Sequence, residues 1–354
     1  MNKVKSLYIH IPFCTHICDY CDFTKLQYVR NFAVSYLEAL KDELESYQIS
    51  DLQTIYVGGG TPTALEDDLF NELLKIIDTY TGSVKEYTFE ANPESLSLNK
   101  IKLLKAHGVN RVSIGVQTTN QKILDSLNRK HNFEQVKAAV SNLKEVGIDN
   151  INIDLILGLP QTSVNILKDD LNNVLTLKPT HISCYGLTVN PHTVLFNKGF
   201  REPEGDVLRK YYDIVEELLT KNGFIHYEVS NWAKPGFESQ HNLTYWRNEQ
   251  YYGCGLGAAG YIKDICYKNT INLSQYLTRV FVSEKEQVSE RDKLTYQVML
   301  NLRTNEGLDL AFVKNKDKEI EELIQLGYLL KKDDKIVATY SGMMVLDQII
   351  LKLI

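Results

Sequence analysis

Short apolar segments alternate with amphipathic segments between residue 6 and about residue 230, and this alternation constrains the fold more than any other feature. The apolar segments have strand character, whereas the amphipathic ones repeat apolar side chains at the 3.6-residue helical period. Alternating strands and helices require parallel strands with helices outside them, so the sequence predicts an α/β fold. Six or seven units favour a partial barrel, although the pattern alone leaves a doubly wound sheet open. Strands are predicted over residues 7–11, 54–57, 87–90, 111–117, 151–157, 181–188 and 227–230.

A different pattern begins near residue 285. Helical segments over residues 290–302 and 319–326 precede an apparent hairpin, and a last helix is predicted over 342–354. This order resembles a small winged-helix-like α+β module. We favour a packing role for it over DNA binding, because it has no marked basic stripe. The predicted division is a barrel over 1–235, a connecting segment over 236–284 and the module over 285–354.

The composition is that of an ordinary globular protein and bounds the function. The chain has 354 residues, 24% of them charged, and a formal net charge of -6. A negative balance argues against a dedicated nucleic-acid binder. The sequence starts close to the first predicted strand, with no apparent signal peptide or membrane span, so we expect a cytoplasmic protein. Reduced thiols are then expected at Cys184, Cys254 and Cys266, which are scattered along the chain.

Three cysteines, Cys14, Cys18 and Cys21, follow the first predicted strand with the spacing C-x3-C-x2-C. Three thiolates are one short of a tetrahedral zinc site or of full ligation of a [4Fe-4S] cluster. A cluster held by three cysteines leaves one iron open for a small molecule. Zinc is the main alternative, since His10 or His16 could supply a fourth ligand. A disulfide is disfavoured by the odd number and the short loop.

Polar and glycine-rich features also follow the other predicted strands. A triglycine run that ends in Gly60 and Thr61 follows the second strand, Glu90 ends the third, Gln117 ends the fourth, and Asp154 lies in the fifth. In a parallel barrel these strand ends meet on one rim, where functional groups gather. The glycines are expected to let backbone N–H groups approach an anionic or zwitterionic ligand. The sequence therefore predicts a ligand site beside the cysteine loop.

Five motifs together resemble the oxygen-independent coproporphyrinogen III oxidase family of radical S-adenosylmethionine (SAM) proteins. They are Y-I-H-I-P-F-C at 8–14, G-G-G-T-P-T at 58–63, F-E-A-N-P-E at 89–94, R-V-S-I-G-V-Q at 111–117 and N-I-D-L-I-L-G-L-P at 152–160. The similarity runs nearly end to end and implies a partial (β/α)6-type barrel. It implies that Cys14, Cys18 and Cys21 hold a [4Fe-4S] cluster. It also implies that SAM is bound by Tyr8, Gly59, Gly60, Thr61, Glu90, Gln117, Arg129 and Asp154.

Two features separate this chain from the oxidases of that family and make it similar to the haem-chaperone branch. Phe23 stands where the oxidases have a fourth cysteine, and residues 241–246 read H-N-x-x-Y-W. The resemblance implies that the protein binds haem, with His241 as the candidate ligand, and delivers haem to respiratory apoproteins. Contact with a membrane would then occur only through those acceptors, and a homodimer is one expected state. Imidazole is a standard ligand of haem iron, although a lone histidine is more often a hydrogen-bonded structural residue.

Other functions and ligands stay open at this point. The rival reading is an oxidase that decarboxylates the propionates of coproporphyrinogen III to vinyl groups, and a third is another radical SAM reaction on a tetrapyrrole. Cys254 is a second candidate haem ligand, although a buried structural role is more common. The sequence departs from the family pattern at Asn190, His192 and Ala259, all on the expected porphyrin side. His192 is a candidate replacement for a lost ligand.

Overall fold

A nine-stranded sheet forms the centre of the computed structural model, which describes residues 3–354. The strands are numbered here in chain order. They are β1 (Ser6–Ile11), β2 (Thr54–Gly59), β3 (Glu86–Ala91), β4 (Arg111–Gln117), β5 (Asn150–Leu157), β6 (His181–Gly186), β7 (Ile225–Glu228), β8 (Asn231–Ala233) and β9 (Tyr252–Cys254).

The spatial order of the strands is β9-β1-β2-β3-β4-β5-β6-β8-β7, and the sheet does not close between its two edges. The first seven in this order pair in parallel, as the βα alternation predicts. The α/β fold with a partial barrel is therefore confirmed. The last predicted strand, over residues 227–230, does not pair with β6 as a further parallel unit would. It forms an antiparallel hairpin, in which β8 lies between β6 and β7, because a two-residue connection cannot cross over the sheet.

Helices cover one face of the sheet, and apolar side chains from alternate strand positions pack against them. Examples are Ile9, Val57, Phe89 and Ile153, which are fully buried. The α-helices are Arg30–Ser46, Asp67–Asp78, Leu98–Ala106, Gln121–Ser126, Phe133–Glu145, Val164–Thr176, Val194–Asn197, Gly205–Lys221, Gln240–Trp246, Leu273–Leu277, Glu290–Asn301, Asp317–Gln325, Tyr340–Met343 and Leu346–Leu353. Single 3-10 turns occupy Pro62–Ala64, Pro93–Ser95 and Leu310–Phe312.

The other face of the sheet is polar, although it is also largely buried. Asn152 on β5 donates hydrogen bonds to Ser113 on β4 and Ser183 on β6, over 2.7 and 2.9 Å. His181, at the start of β6, contacts the Asn152 side chain at 2.6 Å and the Tyr227 hydroxyl at 2.8 Å. Barrels of this kind more often fill their interior with branched apolar side chains. The polar interior leaves hydrogen-bonding groups facing the ends of the barrel.

The C-terminal residues form a separate small sheet with its own apolar core, in agreement with the winged-helix-like module. Leu308–Asp309, Lys335–Ala338 and Leu329–Lys332 make a three-stranded antiparallel sheet, in that order. Side chains of this sheet and its helices, such as Leu302 and Ile349, pack in a core distinct from that of the barrel.

The residues between barrel and module contribute to both neighbours. Strand β9 joins the main sheet beside β1, and a second three-stranded sheet comprises Ala259–Ile262, Ile265–Asn269 and Val282–Gln287. The carboxylate of Glu43, on the first helix, accepts hydrogen bonds from Gly255 and Asn269 of this region over 2.8 and 2.6 Å. The division at residues 235 and 284 stays a prediction. Within residues 3–354, every helix is too short or too polar to cross a lipid bilayer.

Candidate cluster and cofactor site

A cavity of about 440 Å³ opens at the C-terminal ends of the parallel strands. The rim rule for parallel barrels predicts a site at this end, and the structure places ten of the twelve predicted site residues there. Their side chains come from the loop after β1 and from the ends of β2 to β5, with Arg129 reaching in from the segment after β4. The ten lining residues are Cys14, Cys18, Cys21, Gly59, Gly60, Thr61, Glu90, Gln117, Arg129 and Asp154.

The cysteine loop is held at the cavity edge by short-range and long-range hydrogen bonds. The short strands Phe13–Cys14 and Leu26–Gln27 pair in parallel, and this pairing holds the two ends of the cysteine loop side by side. The Cys14 thiol lies 3.6 Å from the Thr61 hydroxyl, and an Arg129 nitrogen lies 3.6 Å from the Cys18 sulfur. Burial raises the pKa of Cys14 to about 11 and also raises the pKa of Cys21. Metal binding must therefore displace thiol protons, and the Arg129 cation favours the resulting negative charge.

The sulfur atoms are not arranged around a single point. Within residues 3–354, no three His, Cys, Asp or Glu side chains converge as the ligands of one metal ion do. A tetrahedral zinc site needs such convergence. A [4Fe-4S] cluster does not, because each thiolate binds a different iron at a different corner of the cube. His10 is also engaged elsewhere, since its ring nitrogens contact the Tyr8 hydroxyl at 2.8 Å and the Thr24 carbonyl at 2.7 Å. His10 is therefore not free to act as a fourth zinc ligand, and the three thiols fit a cluster that leaves one iron open.

The triglycine turn has no side chains, which makes room for neighbouring groups. The N–H groups of Gly59 and Gly60 are not free to bind a ligand. A Cβ atom at Gly58 would lie 2.6 Å from the Glu90 carboxyl carbon, and one at Gly60 would lie 2.7 Å from the Pro12 backbone. Gly59 has a φ of 114°, a conformation that favours glycine. Its N–H donates to the Glu90 carboxylate at 2.9 Å, and the N–H of Gly60 donates to the Ile11 carbonyl at 2.8 Å. The expectation that these N–H groups face a ligand is wrong, because both are used within the protein.

Glu90 is the carboxylate that the turn holds in place. One oxygen accepts from Gly59, and the other accepts from the Tyr56 hydroxyl at 2.8 Å. Burial raises the pKa of Glu90 to about 7, with Asp154 adding to the rise, while both hydrogen bonds oppose it. A carboxyl with this pKa changes charge near neutral pH. Once ionised, it can hold a cationic amine or accept from sugar hydroxyls.

Asp154 and Gln117 complete the far wall of the cavity. The Asp154 carboxylate accepts from Ser113 and Asn152, each at 2.8 Å, so it is held rigidly by its neighbours. Burial raises the pKa of Asp154, and these hydrogen bonds oppose the rise. Gln117 has a φ of 71° at an irregularity between β4 and β5, and its side chain lines the cavity there.

Arg129 has a donor that no protein group uses. Its side chain donates to Asn92 at 3.0 Å and to the Gly115 carbonyl, yet its Nε has no hydrogen-bond partner within the described residues. Arg129 is only 5% exposed, and buried donors of this kind are normally satisfied. The Nε atom itself has almost no accessible surface, so Arg129 acts on the cavity through the charge of its guanidinium group. This positive charge, beside the three thiols, fits a site that holds thiolates and an anionic ligand group.

Tyr8 and His241 lie outside the cavity lining. Tyr8 lies on β1 one layer below the rim, and its ring centre is 6.1 Å from that of Tyr56. His241 lies at the opposite end of the barrel, where its Nδ1 is 2.8 Å from the hydroxyl of Thr54, the first residue of β2. Its Nε2 is 2.8 Å from the Tyr245 hydroxyl, and the side chain is fully buried. Haem ligation by His241 stays a prediction, and it requires one of these two hydrogen bonds to break, since only one ring nitrogen binds the iron.

The H-N-x-x-Y-W motif closes the N-terminal end of the barrel in this structure. It forms the helix Gln240–Trp246, whose first N–H groups donate to the carboxylate of Glu86 at the start of β3. Burial lowers the pKa of His241 to about 3, and the nearby Arg111 cation adds to this fall. Its surroundings therefore favour the neutral imidazole.

Sequence reasoning missed several lining residues. Tyr56, Asn92, Ser113 and Tyr185 also face the cavity. The sequence held a signal for two of them. Tyr56 lies on β2 two residues before Gly58, and Ser113 lies on β4 four residues before Gln117. Side chains at even spacing in a strand point to the same face. Asn92 lies two residues after Glu90, at the end of β3. Tyr185 lies on β6, for which no site residue was predicted.

The charge of Glu90 leads to a testable pH dependence. If the ionised carboxylate binds SAM, affinity should rise about tenfold per pH unit below pH 7 and level off above it. Isothermal titration of reconstituted protein with SAM between pH 6 and 8 measures this. Glu90→Gln should flatten the dependence of SAM affinity on pH. The titration of SAM's own groups affects both proteins equally, so it cancels in the ratio of their affinities. Equal slopes for both would contradict the role of Glu90.

Comparisons with known proteins identify the family of the chain. The Radical SAM superfamily profile matches residues 8–172. The chain is 39% identical to the heme chaperone HemW of Lactococcus lactis, over 97% of this chain and 95% of that protein. It is 35% identical to the heme chaperone HemW of Bacillus subtilis, over 96% of each. The solved coproporphyrinogen III oxidase HemN of Escherichia coli, a radical SAM enzyme, superposes with a TM-score of 0.85 at 23% identity.

These likenesses differ in what they establish. HemN covers 99% of this chain and 90% of its own, which at this identity shows a shared fold and no more. The HemW proteins are similar over nearly their whole length, at identities that indicate common descent. The superfamily match covers the strands and loops that carry the three cysteines and all the cavity residues from β1 to β5. The chain belongs to the HemW family of radical SAM proteins.

Proposed function

We propose that this protein is a haem chaperone, which binds haem and passes it to respiratory apoproteins, in the cytoplasm. The observation that carries the proposal is end-to-end similarity to heme chaperones HemW, in a chain that has Phe23 in place of a fourth cysteine. The cavity supports a second part of the proposal, that a [4Fe-4S] cluster and SAM regulate haem loading or release.

Each side chain of the cavity has a role in this proposal. Cys14, Cys18 and Cys21 hold three irons of the cluster, and the fourth iron is open to SAM. When bound, the cluster supplies an electron that SAM can accept. Arg129 lines the cavity and places a positive charge beside Cys18, where it can attract the SAM carboxylate.

The remaining contacts orient the rest of the cofactor. Glu90 accepts from the SAM amine or ribose once it is ionised, and Asp154 presents a second carboxylate already fixed by Ser113 and Asn152. Gln117 adds an amide on the same wall. Gly58 and Gly60 have no Cβ, so the Glu90 carboxylate can approach the turn at Gly58, and Pro12 and Cys14 can approach it at Gly60. Tyr8 supports this layer from below through its contact with His10.

Two parallel assays under anaerobic conditions separate the haem-chaperone proposal from the alternative, an oxidase of coproporphyrinogen III. Reconstituted protein is incubated with SAM, a strong reductant and coproporphyrinogen III, and products are followed by mass spectrometry. In parallel, haem-loaded protein is mixed with the apo form of a b-type haem protein, and transfer is followed by the Soret band. The chaperone predicts haem transfer without vinyl products. Decarboxylated product over multiple turnovers, or no transfer from a loaded chain, would contradict it.

A further inference from the structure

Tyr56 contacts both the cofactor cavity and the helix Gln240–Trp246, which is called the motif helix below. Tyr56 lines the cavity, where its hydroxyl donates to the Glu90 carboxylate at 2.8 Å. Its ring also faces the ring of His241, with the two ring centres 5.2 Å apart and their planes inclined by 33°. One side chain therefore touches both a predicted SAM ligand and the predicted haem ligand.

Strand β2 crosses the barrel between these two places. At its first position, the Thr54 hydroxyl is 2.8 Å from Nδ1 of His241. At its last position, the Gly59 N–H donates to Glu90 at 2.9 Å. Thr54 and Tyr56 point to the same face of the strand, since side chains two residues apart do so. The path from the motif helix to the Glu90 carboxylate thus follows a single strand.

Ligation of haem iron by His241 disturbs the lower end of this path. The His241 side chain is fully buried, and its two ring nitrogens contact the hydroxyls of Thr54 and Tyr245. An iron ligand needs one of these nitrogens free, so the ring has to move relative to its neighbours. Because protein interiors are close-packed, a shift of the His241 ring displaces the Tyr56 ring that lies against it.

Displacement of Tyr56 removes one of the two donors that hold the Glu90 carboxylate, the other being the Gly59 N–H. Burial raises the pKa of Glu90 to about 7, and the Tyr56 hydrogen bond opposes that rise. Without this donor the carboxyl group is less ionised and less fixed in position. It then holds the amine of SAM more weakly.

We propose that Tyr56 couples the two sites, so that haem at the motif helix and SAM in the cavity weaken each other's binding. This inference rests on the proposed haem-chaperone function, with His241 as the haem ligand, and names the residue through which SAM acts on haem. Coupling between two binding sites is reciprocal, so both affinities fall by the same factor. SAM binding therefore promotes haem release.

The test measures both affinities in full-length protein with a reconstituted cluster, which is kept oxidised so that SAM is not cleaved. Calorimetric titration gives the SAM affinity with and without saturating ferric haem. The Soret difference spectrum gives the haem affinity with and without SAM. In the wild type, each ligand should lower the affinity for the other by about fivefold or more. Tyr56→Phe keeps the ring and lacks the hydroxyl, so this factor should fall below about two.

Tyr87→Phe is the matched control. Tyr87 is a buried tyrosine on β3 whose hydroxyl has no hydrogen-bond partner within the described residues, and it lies outside the cavity lining. This variant should keep the coupling of the wild type, and iron analysis checks the cluster in every protein. Amide hydrogen exchange of residues 240–246 follows the same path without haem. SAM should slow this exchange in the wild type and in Tyr87→Phe, but not in Tyr56→Phe.

The outcomes separate the coupling from the function. If the wild type binds haem and its affinity is unchanged or raised by SAM, the coupling is wrong and the chaperone function stands. Coupling of wild-type size in Tyr56→Phe would exclude Tyr56 as the residue that carries it. If the wild type with an intact cluster binds no haem, the proposed function fails. The exchange measurement then decides by itself whether the cavity and the motif helix are coupled.

Discussion

Replacement of Cys14 by alanine is expected to abolish cluster formation. Each cysteine of a three-cysteine site binds a different iron, so the loss of one leaves a corner without a protein ligand. Cys14 is also the most enclosed of the three, beside Thr61 and the backbone of Gly60. Anaerobic reconstitution followed by iron and sulfide analysis should show at least a tenfold fall in cluster content, with loss of the broad absorbance near 400 nm.

Cys266→Ala is the matched control for this variant. Cys266 is a partly exposed thiol on the strand Ile265–Asn269, outside the cavity lining. It should reconstitute as the wild type does, which excludes a general effect of losing a thiol. An unchanged cluster content in Cys14→Ala would remove the basis for assigning the cavity to a cluster and SAM.

Replacement of Glu86 by alanine is expected to destabilise the closed end of the barrel. The buried carboxylate accepts from the N–H groups of Gln240 and His241, both at 2.9 Å, and from the Ser239 hydroxyl at 3.3 Å. Without it, two N–H groups at a helix start lose their acceptor, and one of them belongs to the fully buried His241. Each costs about 1–3 kcal/mol, so the free energy of unfolding should fall by about 3 kcal/mol.

Urea denaturation followed by circular dichroism measures this loss. Glu72→Ala, an exposed glutamate on the helix Asp67–Asp78, is the control and should change stability by less than about 0.5 kcal/mol. Equal stability of the Glu86 and Glu72 variants would contradict the capping role.

The Glu86 variant also bears on haem binding, because a loosened helix exposes His241. If His241 were the haem ligand, Glu86→Ala should bind haem faster than the wild type.

Much of the barrel could be predicted from local patterns. The parallel strands β1 to β6 were recognised because each is an apolar run between helical segments, and the structure changes their ends by at most two residues. Strand β9 was missed, since a strand of three residues at a sheet edge leaves little pattern. The hairpin of β7 and β8 was read as one parallel strand, because pairing direction depends on the turn and on the neighbouring strand.

In the candidate site, too, some features could be predicted from the sequence and others could not. The cysteine loop and the residues at the ends of β2 to β5 were predicted, because parallel strands bring their C-terminal ends together whatever the sequence between them. The purpose of the glycines was misjudged, since the groups that fill their space, Glu90 and Pro12, come from other parts of the chain. Tyr8 was placed in the right element but one layer below the cavity.

The sequence by itself therefore determined the α/β class, the three-thiol loop and the rim on which the candidate site residues lie. These depend on spacing along the chain and on the two-residue and 3.6-residue periods of strands and helices. Only the tertiary structure decided where His241 lies, because its partner Thr54 is 187 positions away in the chain. The same holds for the loop after β6, because Asn190 and Leu195 contact Asp22 and Asp19 of the cysteine loop. Burial and hydrogen bonding, which depend on such distant contacts, determine which imidazoles a ligand can reach.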